Sequence, residues 1–179
     1  TWPGEDAVLL RVYKALLKDH PALRLVIVPR HFEKADAVEA NIKAAGFPCV
    51  RRSRHESGPG VLLADTTGEM MGFFGCATVA FVGKSLCAHG SQNMIEPCLC
   101  GVPTVVGPYT ENFRPVMSDL LAADALVQVP DEAALMRACA RLFADLAARA
   151  ALGARAREAV LRRRGVVDRC AAELLEVLK

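Results

Sequence analysis

Long apolar runs are missing from this sequence. No stretch approaches the ~20 uninterrupted apolar residues a helix needs to cross a bilayer, so nothing in it reads as a transmembrane helix. The opening Thr1-Trp2-Pro3-Gly4 lacks the basic and apolar blocks of a secretory signal. No initiating Met precedes it, which leads us to expect a fragment of a longer protein. A charge imbalance is missing too: 22 Lys and Arg against 20 Asp and Glu leave a net charge of +2. A net charge that small gives no electrostatic argument, taken alone, for nucleic acid or a membrane surface as a partner. The seven cysteines are odd in number and show neither a disulfide framework nor zinc spacing. They are expected to be reduced, mostly buried small hydrophobes of a cytosolic protein. Cys98 and Cys100 would point in different directions on a helix, and no carboxylate cluster suggests a magnesium site, so no metal is expected. No Ser-His-Asp or Cys-His motif is visible.

What is present is an ordinary globular mixture, 53% hydrophobic over 179 residues. That is enough for one domain with its own core, and it argues against disorder. Leu9, Val12 and Leu16 share one face of a helix expected over 5–18. A buried strand over 23–28 follows and ends in Pro29-Arg30-His31. Next come a helix over 35–45 closed by Gly46, a short strand over 49–51 and a polar loop over 52–60. An apolar strand over 61–64 runs into Asp65-Thr66-Thr67-Gly68-Glu69, and one over 77–82 opens onto Gly83-Lys84-Ser85. A helix over 93–99 leads to a strand over 104–106 closed by Gly107-Pro108. After a brief strand over 126–129, two helices end the chain. In the first, Leu135, Ala138, Cys139, Leu142 and Leu146 form one face behind an Asp131 cap. Short apolar strands alternating with helices indicate an α/β fold, a doubly wound parallel sheet covered on both faces.

In open parallel sheets, ligands bind beyond the carboxyl ends of the strands. Four polar segments follow strands here, and the richest is GKSLCAHGSQNMIEP, residues 83–97. Its glycines and Ser85 suit backbone N–H contact with an anion, helped by the helix that follows. Glu96, one turn inside that helix, suits a bidentate bond to a ribose diol, while Arg30 and Lys84 can offset phosphate or carboxylate charge. Each feature also has a plain reading. Glycine turns between strands and helices are common, and a lone helical Glu is usually just solvated. His20, His31, His55 and His89 suit a surface as well as a site. Asp65 and Thr66 suit a helix cap, and the basic run over 155–164 suits a solvated helix face better than a lipid-phosphate patch.

Taken together, the segments PRHFEK (29–34), DTTGEM (65–70), GKSL…HGSQNMIEP (83–97) and GPYTENF (107–113) resemble those of bacterial Kdo (3-deoxy-D-manno-octulosonic acid) transferases. The likeness runs in order along nearly the whole chain from Pro3-Gly4-Glu5 onward. Lys84, Gln92, Met94 and Thr67 depart from the family pattern, Lys84 standing where the family carries Gly. The resemblance implies a Rossmann-like domain, the C-terminal half of a GT-B glycosyltransferase, with residues 1–179 forming the CMP-Kdo domain. It implies contacts to CMP-Kdo from Pro29, Arg30, His31, Thr67, Gly68, Glu69, Ser85, Asn93, Met94, Ile95 and Glu96, with no metal and no other cofactor. Lipid A precursor, the catalytic base and the membrane anchor would belong to an N-terminal acceptor domain absent from this chain. The full enzyme would work at the cytoplasmic face of the bacterial inner membrane. Other readings are a UDP-sugar transferase or epimerase of the same fold and a non-catalytic nucleotide-binding module.

Overall fold

A computed structural model describes residues 1–163, 165 and 175–176. The elements run α1 (Glu5–Leu16), β1 (Val26–Ile27), α2 (Ala35–Ala44), β2 (Cys49–Arg51), β3 (Val61–Leu63), α3 (Met70–Cys76) and β4 (Ala80–Val82). They continue with α4 (Ile95–Leu99), β5 (Thr104–Val106), α5 (Arg114–Ala122), β6 (Val127–Gln128), α6 (Glu132–Ala144) and α7 (Leu146–Leu161). All strand pairing is parallel, as the alternation of strands and helices implies, and helices flank the strands. The expected single sheet is observed as two three-stranded ladders, β1-β3-β2 and β4-β5-β6.

The two ladders share α1. Val8, Val12 and Leu16 of this helix pack with Val105, Leu135 and Leu142. Its Leu10 and Tyr13 pack instead with Ile27, Ile42, Val61 and Leu63. A helix with apolar residues on two faces can cover two neighbouring sheets. The one-sided stripe expected from Leu9, Val12 and Leu16 is therefore corrected to two. Within β5, Val105 joins the α1–α6 core and Val106 joins Met94, Met117, Leu120 and Ala156 on the opposite side. Successive strand residues point to opposite faces, so a strand covered on both sides reads as an unbroken apolar run.

Several expected boundaries move. The strand over 23–28 shrinks to Val26–Ile27, and those over 77–82 and 126–129 shrink to Ala80–Val82 and Val127–Gln128. The Asp131 cap forms, accepting Ala134 N–H at 2.8 Å. The first closing helix nevertheless ends at Ala144, because extended Asp145 caps a new helix by accepting Ala148 N–H at 2.8 Å. Leu146 therefore starts α7 and is 68% exposed rather than part of the α6 face. Of the cysteines described, Cys98 and Cys139 are buried, but Cys76 and Cys87 are exposed, which corrects the expectation that most are buried. Burial pushes the Cys98 and Cys139 thiols up to about 11. Arg155–Arg163 of the basic run lie at the end of α7 and just beyond it, with Arg155, Arg157, Arg162 and Arg163 exposed; Arg164 lies outside the described residues. Among the described residues, no helix is long and apolar enough to cross a membrane.

Candidate functional site

The carboxyl ends of β1, β3, β4 and β5 lead directly into the four polar segments. After β1, Pro29 is half-buried, while Arg30 and His31 are exposed. Their position is fixed through the start of the chain: Arg30 N–H donates to Thr1 O at 3.2 Å, and the His31 ring meets Trp2 edge-on with centroids 6.2 Å apart.

After β3, Asp65 does not cap a helix. It is buried, taking the Ser53 N–H at 2.9 Å and the Ser53 hydroxyl at 2.6 Å, and it pairs with the Arg51 guanidinium at 2.7 Å. Burial opposes its charge, but those hydrogen bonds from Ser53 and Arg51 prevail and hold its carboxyl down to about 2. Because the folded pKa lies below the unfolded one, the stabilisation is present above about pH 4 and disappears as pH falls towards 2. A drop from 3.8 to about 2 corresponds to about 2.5 kcal/mol at neutral pH. Asp65→Asn should lose stability of that order at pH 7 and flatten the acid limb of a urea-midpoint profile between pH 4 and 2.

The rest of this segment faces outward. Thr67 and Gly68 are exposed, and Glu69 is half-buried. Glu69 accepts the Thr66 hydroxyl and forms a two-pronged pair with Arg52, the shorter arm 2.7 Å. That pair first, and the Thr66 bond second, hold the Glu69 carboxyl below the usual carboxylate range. Helix α3, which follows, packs against α4.

The loop after β4 departs most from expectation. The Glu5 carboxylate, fully buried, accepts four backbone N–H groups. One oxygen takes Trp2 at 2.9 Å and Lys84 at 2.7 Å, and the other takes Ser85 and Leu86 at 3.2 Å each. A side chain at Gly83 would collide with this carboxylate. Ser85 is fully buried as well: its hydroxyl donates to Val82 O at 2.6 Å and accepts Gly107 N–H at 2.8 Å. Gly107 lies so close to the Ser85 backbone that no Cβ fits, which locks this loop to the one after β5. Ser85 is thus corrected from an anion-facing residue to a tie between loops.

The same correction applies to the Met94 side chain. Met94 is fully buried among Val82, Cys98 and Val106, and Ile95 lines an apolar groove of about 260 Å³ between α4, α5 and α7. The helix expected over 93–99 is the five-residue α4, and Asn93 lies before it, its Oδ1 accepting Ile95 N–H at 2.9 Å. The Asn93 amide donates to Glu96 Oε1 at 2.9 Å, so Asn93 and Glu96 face the same side of the helix start.

After β5, Glu111 and Asn112 reach back to the β4 loop. Glu111 accepts Gly90 N–H at 3.0 Å and sits 2.8 Å from His89 Nδ1, while Asn112 pairs with the Ser91 backbone at 2.8 and 2.9 Å. Its own backbone N–H, then His89, then Gly90 hold the Glu111 carboxyl down to about 2. The His89 ring lies over Tyr109 with centroids 4.3 Å apart. The structure therefore joins the PRH, GKS and GPY segments through Trp2, Ser85, Glu111 and Asn112. Glu5, Trp2, Glu111 and Asn112 organise these loops and were passed over by sequence reasoning, although the Pro3-Gly4-Glu5 and GPYTENF matches contained all of them but Trp2.

No protein-family model matches the sequence. The chain is 36% identical to the 3-deoxy-D-manno-octulosonic acid transferase of Haemophilus influenzae over 183 residues, covering 100% of this chain and 42% of that one. It is 38% identical to the Bordetella pertussis enzyme of the same name over 164 residues, covering 88% of this chain and 38% of that one. In structure it matches the C-terminal CMP-Kdo binding domain of WaaA from Acinetobacter baumannii with a TM-score of 0.85 at 30% identity, covering 91% of this chain and 86% of that domain. The chain belongs to the Kdo transferase family. It spans about two fifths of the length of the curated Kdo transferases it matches, 38% and 42%. Among the described residues, no group of three or more His, Cys, Asp or Glu side chains is placed to hold a metal ion.

Proposed function

We propose that this chain is the donor-binding half of a glycosyltransferase that moves Kdo from CMP-Kdo to a lipid A precursor in lipopolysaccharide synthesis. The observation that carries this reading is the position of the four family segments at the carboxyl ends of parallel strands, in a domain so similar to one named for binding CMP-Kdo. Asn93 and Glu96 then address the ribose, with Asn93 fixing one Glu96 oxygen and leaving the other free for a hydroxyl. Pro29, His31 and Thr67-Gly68-Glu69 border the nucleotide together with Ile95, and Met94, whose side chain is buried, contributes through its backbone.

Transfer breaks the bond between the sugar's anomeric carbon and a phosphate oxygen. The electron pair stays on CMP, whose phosphate gains negative charge. Arg30 and Lys84 form no ion pair among the described residues, and both can meet that charge as it develops. A monophosphate leaving group has no diphosphate to be neutralised by a metal. The acceptor surface, the catalytic base and the attachment to the inner membrane's cytoplasmic face belong to a domain outside this chain.

Calorimetry tests the reading. CMP should bind equally with and without EDTA, and UMP should bind about tenfold more weakly, the worth of a mismatched hydrogen-bond pattern at the base. Preference for UMP would point instead to a UDP-sugar enzyme of the same fold. Glu96→Gln should weaken CMP binding by roughly 1.5–3 kcal/mol, the range for hydrogen bonds to a charged group, while the melting temperature without ligand stays put. Unchanged affinity, or an unfolded variant, would return Glu96 to the scaffold.

A further inference from the structure

The loop over residues 83–86 has the form of an anion site, with consecutive backbone N–H groups converging on one point. That point is already filled. The fully buried Glu5 carboxylate takes the N–H groups of Lys84, Ser85 and Leu86 from inside the domain. A phosphate would have to displace a fully buried carboxylate that would keep only the Trp2 N–H as a partner, so the backbone of this loop is closed to ligands.

What the loop offers outward is the Lys84 side chain, and three observations show it is deliberately held. Lys84 occupies the left-handed region at φ 58°, which side chains other than Gly, Asn and Asp rarely adopt. Its Nζ rests 4.8 Å from the centroid of the Trp2 ring, beside Gly90. The same Glu5 oxygen that fixes Lys84 N–H also fixes Trp2 N–H, so one carboxylate sets both the ammonium and the ring it lies on. Trp2 in turn meets edge-on the ring of His31, the last residue of the Pro29-Arg30-His31 segment. No carboxylate neutralises the ammonium among the described residues.

We propose that the Lys84 side chain, aimed by Glu5 and Trp2, binds the donor's anionic group in place of the backbone of its own loop, and that Glu5 is a positioning residue for it. This rests on the donor-site reading above. The anion is either the CMP phosphate or the carboxylate of the sugar, and both present the same chemistry to an ammonium.

The test uses Lys84→Gly, which relieves the left-handed backbone and so should leave the melting temperature equal or higher. Cytidine, CMP and freshly generated CMP-Kdo are titrated into the native chain and the variant. Lys84→Gly should weaken CMP by about tenfold or more, the worth of a charge-assisted hydrogen bond, with cytidine unchanged; this assigns the phosphate. If CMP is unchanged and CMP-Kdo alone weakens by that factor, Lys84 binds the sugar carboxylate. Equal losses for cytidine, or no loss with any probe, would overturn the proposal. Glu5→Gln should reduce the CMP-to-cytidine ratio in the native background but not in the Lys84→Gly background. Additive losses would leave Glu5 a purely structural group and remove it from the proposal. Should Glu5→Gln fail to fold, the Lys84→Gly arm still decides the role of Lys84. If the native chain binds neither CMP nor CMP-Kdo, the donor-site reading fails first, which separates that failure from this one.

Discussion

Glu5→Ala is expected to destabilise the fold by about 4 kcal/mol or more. Four backbone N–H groups, those of Trp2, Lys84, Ser85 and Leu86, converge on this one carboxylate. Removing it orphans all four in a site where Glu5 itself has no solvent contact, at about 1–3 kcal/mol for each donor left buried and unpaired. Water entering the space reduces the loss, which is why the lower end of the sum is the expected value. At 2–4 °C per kcal/mol for a domain of this size, the melting temperature should fall by roughly 10 °C. A thermal melt followed by circular dichroism measures it. A loss below about 1 kcal/mol would mean that the loop finds other partners and that Glu5 is not what shapes it.

The second large effect is all-or-none. On the proposed function, the purified chain, given fresh CMP-Kdo and lipid A precursor, should show no transfer, and the chain joined to an N-terminal acceptor domain should show it. Proton removal from the acceptor hydroxyl needs a base within about 3 Å of it. The carboxylates around the donor loops are otherwise engaged: Glu5 by four N–H groups, Asp65 by Arg51 and Ser53, Glu111 by Gly90 and His89. Glu69 is paired with Arg52, and Glu96 is committed to the ribose in the proposed complex. Robust turnover by the chain alone would place the base among His31, Glu69 and His89 and overturn this division of labour.

Some of the fold was legible because local chemistry and tertiary structure agree. The strands over 49–51 and 104–106 lie where expected, the second because both faces of β5 are covered and a Gly-Pro pair ends it. Asp131 caps α6 as its position before an apolar face implies. Other boundaries depend on pairing that no local pattern records. Leu23 and Leu25 pack against the core like strand residues, yet the ladder with β3 includes only Val26 and Ile27. Helix α3, MMGFFGC, buries none of its residues and contains two glycines, so neither periodicity nor propensity marks it. The first of the two closing helices stops at Ala144, short of the expected Leu146, because the Asp145 side chain serves an N-cap better than a helix interior.

The site divides the same way. Arg30, His31, Thr67, Gly68, Asn93 and Glu96 were named from the segments that carry them, and the structure leaves each at least partly exposed. Which side chains in those segments face inward was not legible. Ser85 and Met94 sit in the motif beside accessible residues, and only packing distinguishes them. The role of Glu5 was hidden for a different reason: three of its four partners lie about 80 positions away along the chain, beyond the reach of any local pattern.

The central claim is that the loops at the carboxyl ends of β1, β3 and β4 form a cytidine nucleotide site, and backbone amide chemical shifts during a CMP titration test it most directly. The account predicts saturable shifts concentrated at residues 30–31, 67–69, 84 and 93–96, reproduced with EDTA present. Shifts confined to the groove between α4, α5 and α7, at Val116, Leu120 and Val160, or no saturable shifts at all, would contradict it.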